Sequence, residues 1–265
     1  MVKRRIVRLV GVSVLLCWSA VTVLAADGPS KESRHLAKRG RMPFKTRYLY
    51  PGSGLAMEPD CLSRPEQRIL ALTFDDGPDK RDLAIGAVLE PRAIPATFFY
   101  VGERARAMPA IVEQMRAKGY EIAYHAYRHH LLSGFSRARL TTDFQQGVQL
   151  MQSLGITLQW FRPPYGDFND TVVQTAQAHG MGTLLWTIDS RDWAGDSATT
   201  VAGNVVRRFH PGAILLFHSS RAASLRALPT ILQAADKAHY RFVSLAEWQQ
   251  VIQAAHCDQS PSALR

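Results

Sequence analysis

The chain of 265 residues is 46% hydrophobic in composition and carries 32 basic against 22 acidic side chains, a formal charge of +10. That length suits one sizeable domain with a proper core and short extensions. The basic balance alone suggests a nucleic-acid binder, but an export signal and the lack of a recognised binding motif exclude one.

Taken in chain order, the first segment is a leader. Lys3, Arg4, Arg5 and Arg8 form a positive head, Leu9 to Leu24 is mostly apolar, and Val23-Leu24-Ala25 resembles a small-residue cleavage site. Residues 1–25 are therefore expected to be a signal peptide, which places the protein in the periplasm or outside the cell, with an uncleaved membrane anchor as the rival reading. Cys17 within the apolar run follows Leu16, a poor fit to a lipidation site, and is incidental. The leader holds four of the charges and no acid, so +6 remains without it. Residues 26–60 contain a basic stretch with no apolar periodicity, including Lys38, Arg39, Arg41 and Lys45. It reads as a flexible arm, suited to anionic envelope polymer or lipid headgroups, or else a solvated linker.

The domain is expected over residues 61–257, followed by a tail at 258–265. Cys61 and Cys257 stand at its two ends, and in an oxidising compartment they make a plausible staple, worth roughly 3–5 kcal/mol on a loop-entropy basis. Short apolar runs alternate with amphipathic segments, which predicts an α/β domain of mostly parallel strands. The strand-like runs are Ile69–Phe74, Ala96–Val101, Glu121–Tyr124, Trp160–Arg162, Thr183–Ile188, Ala213–Phe217 and Arg241–Ser244. Helix-like stretches include Ala107–Lys118, Arg137–Leu154, Asn169–His179, Ala198–Arg208, Ala222–Ala238 and Leu245–Ala255, with Gly119, Gly155 and Gly180 where C-caps belong.

Reactive residues cluster directly after strand-like runs: Asp75-Asp76, His125, Arg162 to Gly166, Asp189 to Trp193, and His218. In barrels of parallel strands these loops gather on one face, where chemistry is built. An Asp-Asp pair before Gly77-Pro78 can aim its two carboxylates in different directions. One carboxylate with His125 and His129 makes a usual shell for a hydrolytic zinc-type metal, and the other carboxylate is left to take a proton from water. His130 is expected to point elsewhere. Arg162, before two prolines, has a stiff backbone and can orient Asp75, although a surface salt bridge is the plainer reading. The Tyr165 N–H suits an oxyanion donor, His218 a general acid, and Asp192 a partner that keeps His218 protonated. Trp193 or Trp186 offers a wall for a sugar ring, with core packing the commoner fate of a Trp.

The ordered strings TFDDGP, HAYRH, RPPYG, DSRDW and ILLFH resemble the five motifs of the polysaccharide deacetylases, the NodB-homology domain of carbohydrate esterase family 4. The resemblance covers about Arg68 to Ala255. It implies a distorted (β/α) barrel of about seven parallel strands and a metal-dependent deacetylase acting on sugars. Position by position it implies Asp75 as base, Asp76, His125 and His129 as metal ligands, and Arg162 as the residue tuning Asp75. Asp192 then partners the acid His218, Leu216 lines the acetyl-methyl pocket, and Pro163, Tyr165 and Trp193 meet the substrate. Two positions depart from the pattern. Ala126 stands where Ser or Thr usually supports the loop, and Ser219 stands where an acid frequently follows the histidine.

The expected activity is removal of N-acetyl groups from amino sugars in a glycan such as peptidoglycan, a chitin-type chain or poly-N-acetylglucosamine. It would use one divalent ion, zinc first and cobalt, nickel or manganese next, in a monomer. The alternatives are an O-acetyl xylan esterase, a deformylase or other linear-amide hydrolase on the same scaffold, and a non-catalytic sugar-binding protein.

Overall fold

The computed structural model describes residue 62 and residues 64–255. The leader, the basic arm, the tail and both members of the expected Cys61–Cys257 staple lie outside the described residues. In chain order the elements are β1 (Ile69–Gly77), α1 (Arg81–Leu89), β2 (Thr97–Tyr100), α2 (Gly102–Ala107), α3 (Pro109–Ala117), β3 (Glu121–Tyr124), α4 (Arg137–Ser153) and β4 (Trp160–Phe161). There follow α5 (Asp170–Ala178), β5 (Gly182–Thr183), β6 (Ile188–Asp189), α6 (Ala198–Val206), β7 (Ala213–His218), α7 (Ala222–Lys237), β8 (Arg241–Val243) and α8 (Leu245–Ala254).

Every strand pairing is parallel, in the order β5-β4-β3-β2-β1-β7-β6, with β8 added to β1. The result is the distorted α/β barrel of the NodB type. β1 is its centre: β7 lies along one edge from Leu70 to Asp75, while β8 and β2 share the other, at Ile69–Ala71 and Thr73–Gly77. Such a strand is covered on both faces, which is why its sequence is an almost unbroken apolar run.

Side-chain alternation divides the core. Leu70, Leu72 and Phe74 of β1 pack outward with Phe98, Leu215 and Phe217 against the helices. Ile69 and Ala71 face inward with Phe99, Ala123, Trp160, Ile214 and Trp248. Because the period is two residues, the inward row of β1 continues to Thr73 and Asp75. On β3 it runs from Ala123 to His125, on β4 from Trp160 to Arg162, and on β7 from Ile214 through Leu216 to His218. The pleat alone delivers four reactive side chains to one mouth.

The expected strand Thr183–Ile188 contributes two short strands at opposite ends of the sheet. β5 pairs with β4, β6 pairs with β7, and among the described residues no ladder joins β5 to β6. The chain crosses this seam through Leu185 and Trp186, after Leu184 N–H bonds Phe161 and before Thr187 N–H bonds Ile214. Likewise the expected helix Ala107–Lys118 breaks at Met108 (φ −132°), because Pro109 has no N–H to continue α2 and instead opens α3. Gly119, Gly155 and Gly180 do take left-handed φ after α3, α4 and α5, at 83°, 72° and 76°.

Candidate active site

Asp75 ends the inward row of β1 and is 2% exposed. Its Oδ1 accepts from Arg162 Nη1 at 2.7 Å. Arg162 is completely buried, yet its donors are spoken for: Nη1 also reaches Thr73 Oγ1 at 2.9 Å, Nε reaches the Leu184 carbonyl at 3.1 Å, and Nη2 the Leu185 carbonyl at 3.0 Å. Its guanidinium lies 4.0 Å from the centre of the Phe99 ring. Burial lowers its pKa and Asp75 opposes that fall, so the group stays cationic. A buried pair of this kind is tolerable only with such extensive hydrogen bonding. Arg162 is therefore no surface salt bridge; it orients the carboxylate and ties the segment entering the seam, Leu184–Leu185, to β1.

Asp76 would by parity point outward, but its φ of 66° turns it back toward the mouth. Left-handed backbone at a residue with a side chain costs about 1–2 kcal/mol, and Ala126, Tyr165 and Arg191 share it at 64°, 61° and 60°. Asp76 stands near the end of β1, and the other three follow β3, β4 and β6. Asp76 Oδ1 lies 3.0 Å from His129 Nε2 and 3.5 Å from His125 Nε2. The three donor atoms of Asp76, His125 and His129 fall within 4.8 Å of one another.

The residues present fit a metal ion. His125 Nδ1 is 2.7 Å from the Arg162 carbonyl, which can only accept, so Nδ1 carries the proton and Nε2 offers its lone pair to the cluster. Asp76 Oδ1 is buried and closes no aligned hydrogen bond. Metal–donor bonds of about 2.0–2.2 Å place two donors of one ion roughly 3–4 Å apart, which the observed spacings match. Burial pushes the Asp76 carboxyl upward, but His125 and His129 outweigh it and hold the group well below its ordinary value. Asp76 is thus an anion ready to ligate.

The loop between the two histidines is held from α4. Asp143 Oδ1 accepts from the Tyr127 N–H at 3.0 Å and from Tyr124 OH at 2.7 Å, and Tyr124 OH also reaches the Asp143 carbonyl at 2.8 Å. Gly147 lets α4 approach this closely, since a Cβ there would stand 2.2 Å from the Tyr124 ring. Ala126 is buried among Tyr124, Leu140 and Phe144.

On the opposite wall, His218 pairs in register with Asp75 across β1 and β7. Its Nδ1 lies 2.7 Å from Asp192 Oδ1, and its backbone N–H donates to Asp192 Oδ2 at 2.7 Å. Ser224 from the start of α7 donates to the same Oδ2. Burial opposes protonation of His218, but the bond to Asp192, the Asp192 charge and the charges of Asp76 and Asp75 raise it from 6.5 to about 9. Burial likewise pushes Asp192 up, and its contacts with His218 and Ser224 bring it below its ordinary value.

The remaining expected site residues divide. Leu216 is buried one inward step below His218, opposite Thr73 and Asp189. Pro163 and Pro164 are buried beneath the turn, and the Tyr165 ring stands edge-on to His129 with centres 4.4 Å apart. Trp193 is 39% exposed, its Nε1 donating to Asp189 at 3.2 Å, whereas Trp186 is half-buried over the Arg162 guanidinium at 5.9 Å. His130 is exposed and turned toward Phe135, away from the cluster. Thr73, Asp143, Ser224 and Arg104, whose Nη1 donates to the Asp76 carbonyl at 2.6 Å, complete the site without having been singled out from sequence. Of these only Thr73 carried a signal, two residues before Asp75 on the same face.

A carboxylate and two imidazoles that could hold a metal ion, a second carboxylate fixed by arginine, and a histidine paired with Asp192 are the groups that metal-assisted hydrolysis calls for, gathered here on a parallel barrel. The polysaccharide deacetylase model matches residues 63–184. A peptidoglycan-N-acetylglucosamine deacetylase of Bacillus cereus is 35% identical over 187 residues, covering 68% of this chain and 88% of that protein. The family 4 carbohydrate esterase of Streptomyces lividans, solved with acetate, superimposes with a TM-score of 0.63 at 28% identity, over 66% of this chain and 91% of that one. A family 4 pseudoenzyme of Bacillus anthracis gives a TM-score of 0.67 at 26% identity, over 70% and 66%. The chain belongs to the polysaccharide deacetylase family.

Proposed function

We propose that this protein is an exported, metal-dependent hydrolase that removes N-acetyl groups from amino sugars of an envelope or chitin-type glycan. Because a pseudoenzyme shares the fold, the fold alone carries no activity. The observation that supports catalysis is the pairing of a fixed carboxylate with a protonated imidazole beside the ligand cluster. Asp75 and His218 stand opposite one another on adjacent strands, and Asp75 Oδ2 is 3.8 Å from His125 Nε2.

Asp76, His125 and His129 would hold a divalent ion, zinc by its preference for this donor set, and the ion supplies Lewis acidity toward water and the acetyl carbonyl. Asp75 takes the proton of the attacking water, with Arg162 fixing its other oxygen. The Tyr165 N–H, at a residue of left-handed backbone, is assigned to the charge developing on the carbonyl oxygen. His218 gives its proton to the departing amine, and Asp192 steadies the imidazolium until then. Leu216 packs against the acetyl methyl, and the exposed face of Trp193 receives a sugar ring. Acetate and a free amino sugar result. The basic head and apolar run at residues 3–24 support export, and the relatives named peptidoglycan deacetylases favour an envelope polymer.

The test is acetate release from peptidoglycan, chitin oligomers, poly-N-acetylglucosamine and acetylated xylan, with and without a chelator. Chelator-sensitive release from an N-acetylated glycan is expected. Release from xylan alone would overturn the N-acetyl specificity, and no release from a metal-loaded protein would overturn the activity.

A further inference from the structure

Three buried oxygens that take no part in the proposed chemistry meet directly behind the reactive turn. They are Asp82 Oδ1 from the first turn of α1, Tyr100 OH from β2 and Ser219 Oγ from just past β7. Each residue is fully buried, or in the case of Tyr100 and Ser219 shows no exposed surface. The hydroxyls stand close enough to Asp82 to favour its charged form, yet none of the three atoms closes an aligned hydrogen bond. Burial pushes the Asp82 carboxyl up to about 6 despite that help.

The other carboxylate oxygen has an ordinary local duty. Asp82 Oδ2 accepts from the Asp79 N–H at 3.0 Å, while Asp79 Oδ1 accepts from the Arg81 N–H at 2.9 Å, a reciprocal cap on α1. A cap needs only one oxygen at the helix surface. It does not require a carboxylate sunk into the core against a phenol and a serine, where an acid is costly.

The location supplies the reason. Ser219 N–H donates to the Asp75 carbonyl at 2.9 Å, and Ser219 directly follows His218. Tyr100 lies across Gly77, where a Cβ would come within 2.3 Å of its ring and 2.9 Å of Ser219 Oγ. The Tyr100 carbonyl accepts the His125 N–H at 2.9 Å, and the next residue, Val101, donates to the Gly77 carbonyl at 2.8 Å. The trio therefore touches the segments carrying the base, the acid and one metal-donor histidine.

We propose that Asp82 is a positioning residue for the deacetylation reaction, its buried carboxylate packed against Ser219 and Tyr100 and so setting how the Asp75–Asp76 turn sits on the His218 strand end. The inference rests on the proposed activity. Asp82 touches no reacting group; it fixes the separation between proton acceptor and proton donor, and small errors in such placement are costly in rate.

Since an acid and a hydroxyl face each other, exchanging them preserves the pair. Asp82→Asn and Ser219→Asp are each expected to lower kcat about tenfold with KM within about twofold and metal content unchanged. The exchanged variant, Asp82→Ser with Ser219→Asp, is expected to recover to within about threefold of the parent. Wild-type kcat in Asp82→Asn overturns the proposal. So does an exchanged variant that is as slow as the poorer single change, or that does not fold, because either shows that the carboxylate is needed on α1 for its own sake. Inactivity of the unaltered, metal-loaded protein would instead overturn the activity, which keeps the two failures apart.

Discussion

If His218 is the proposed general acid, the Asp192–His218 pair sets the alkaline limit of activity, and Asp192→Asn tests it most directly. The wild-type imidazole is raised from 6.5 to about 9, chiefly by Asp192 through its hydrogen bond and its charge, with smaller help from Asp76 and Asp75. Asparagine nearly preserves the volume and keeps an oxygen for the His218 N–H and Ser224, but it removes the charge. A group with a pKa near 9 is about 90% protonated at pH 8, whereas one near 6.5 is about 3% protonated. If the whole shift is lost, the general-acid form falls roughly 30-fold at pH 8 and hardly at all at pH 5.5. The alkaline limb of kcat/KM should therefore move from near 9 toward neutrality, with the loss largest at high pH. The same sign governs stability: a raised imidazole stabilises the fold below about 6.5, and that contribution fades as pH rises through about 9. Acetate release measured from pH 5 to 10 reads the shift. A limb that stays near 9 in the variant, with a uniform drop at all pH values, would refute His218 as the acid.

Three further changes probe other parts of the site. Asp75→Asn should reduce turnover by at least about 10²-fold while metal content by elemental analysis stays at the parent level, since Asp75 is the proposed base and Asp76 the proposed ligand. Arg162→Met should destabilise the fold by about 3–5 kcal/mol in denaturant unfolding, because it leaves a buried carboxylate and two seam carbonyls without their donor. Asp143→Ala should weaken metal binding about 10- to 100-fold in competition with a chromogenic chelator, by freeing the loop between His125 and His129.

The sequence revealed those parts of the site that depend on strand parity. Asp75, His125, Arg162 and His218 each follow an apolar run, and the two-residue period carries that run's inward row to the mouth of the barrel. Asp76 was legible from the Gly77-Pro78 turn, though its left-handed backbone was not. Contacts made across the fold were hidden. Asp143 lies on an amphipathic helix like any solvated acid, and Ser224 opens α7 with no local mark of its bond to Asp192. Helix α1 was obscured because its inward face carries Asp82 and Gly86 beside Ile85 and Leu89, which blurs the apolar period. The run Thr183–Ile188 looked like one strand because Leu184, Leu185 and Trp186 are apolar; what splits it is the seam, a property of the closed sheet.

That seam ties heredity to architecture in an unequal way. Arg162 ties the segment that enters the seam to β1 as well as holding Asp75, so a descendant that abandoned turnover would still need it to stay folded. Asp75 meets the scaffold through that same guanidinium, and Asp192 through the His218 N–H and Ser224. The guanidinium's survival in a chain therefore says little about whether that chain still cuts anything.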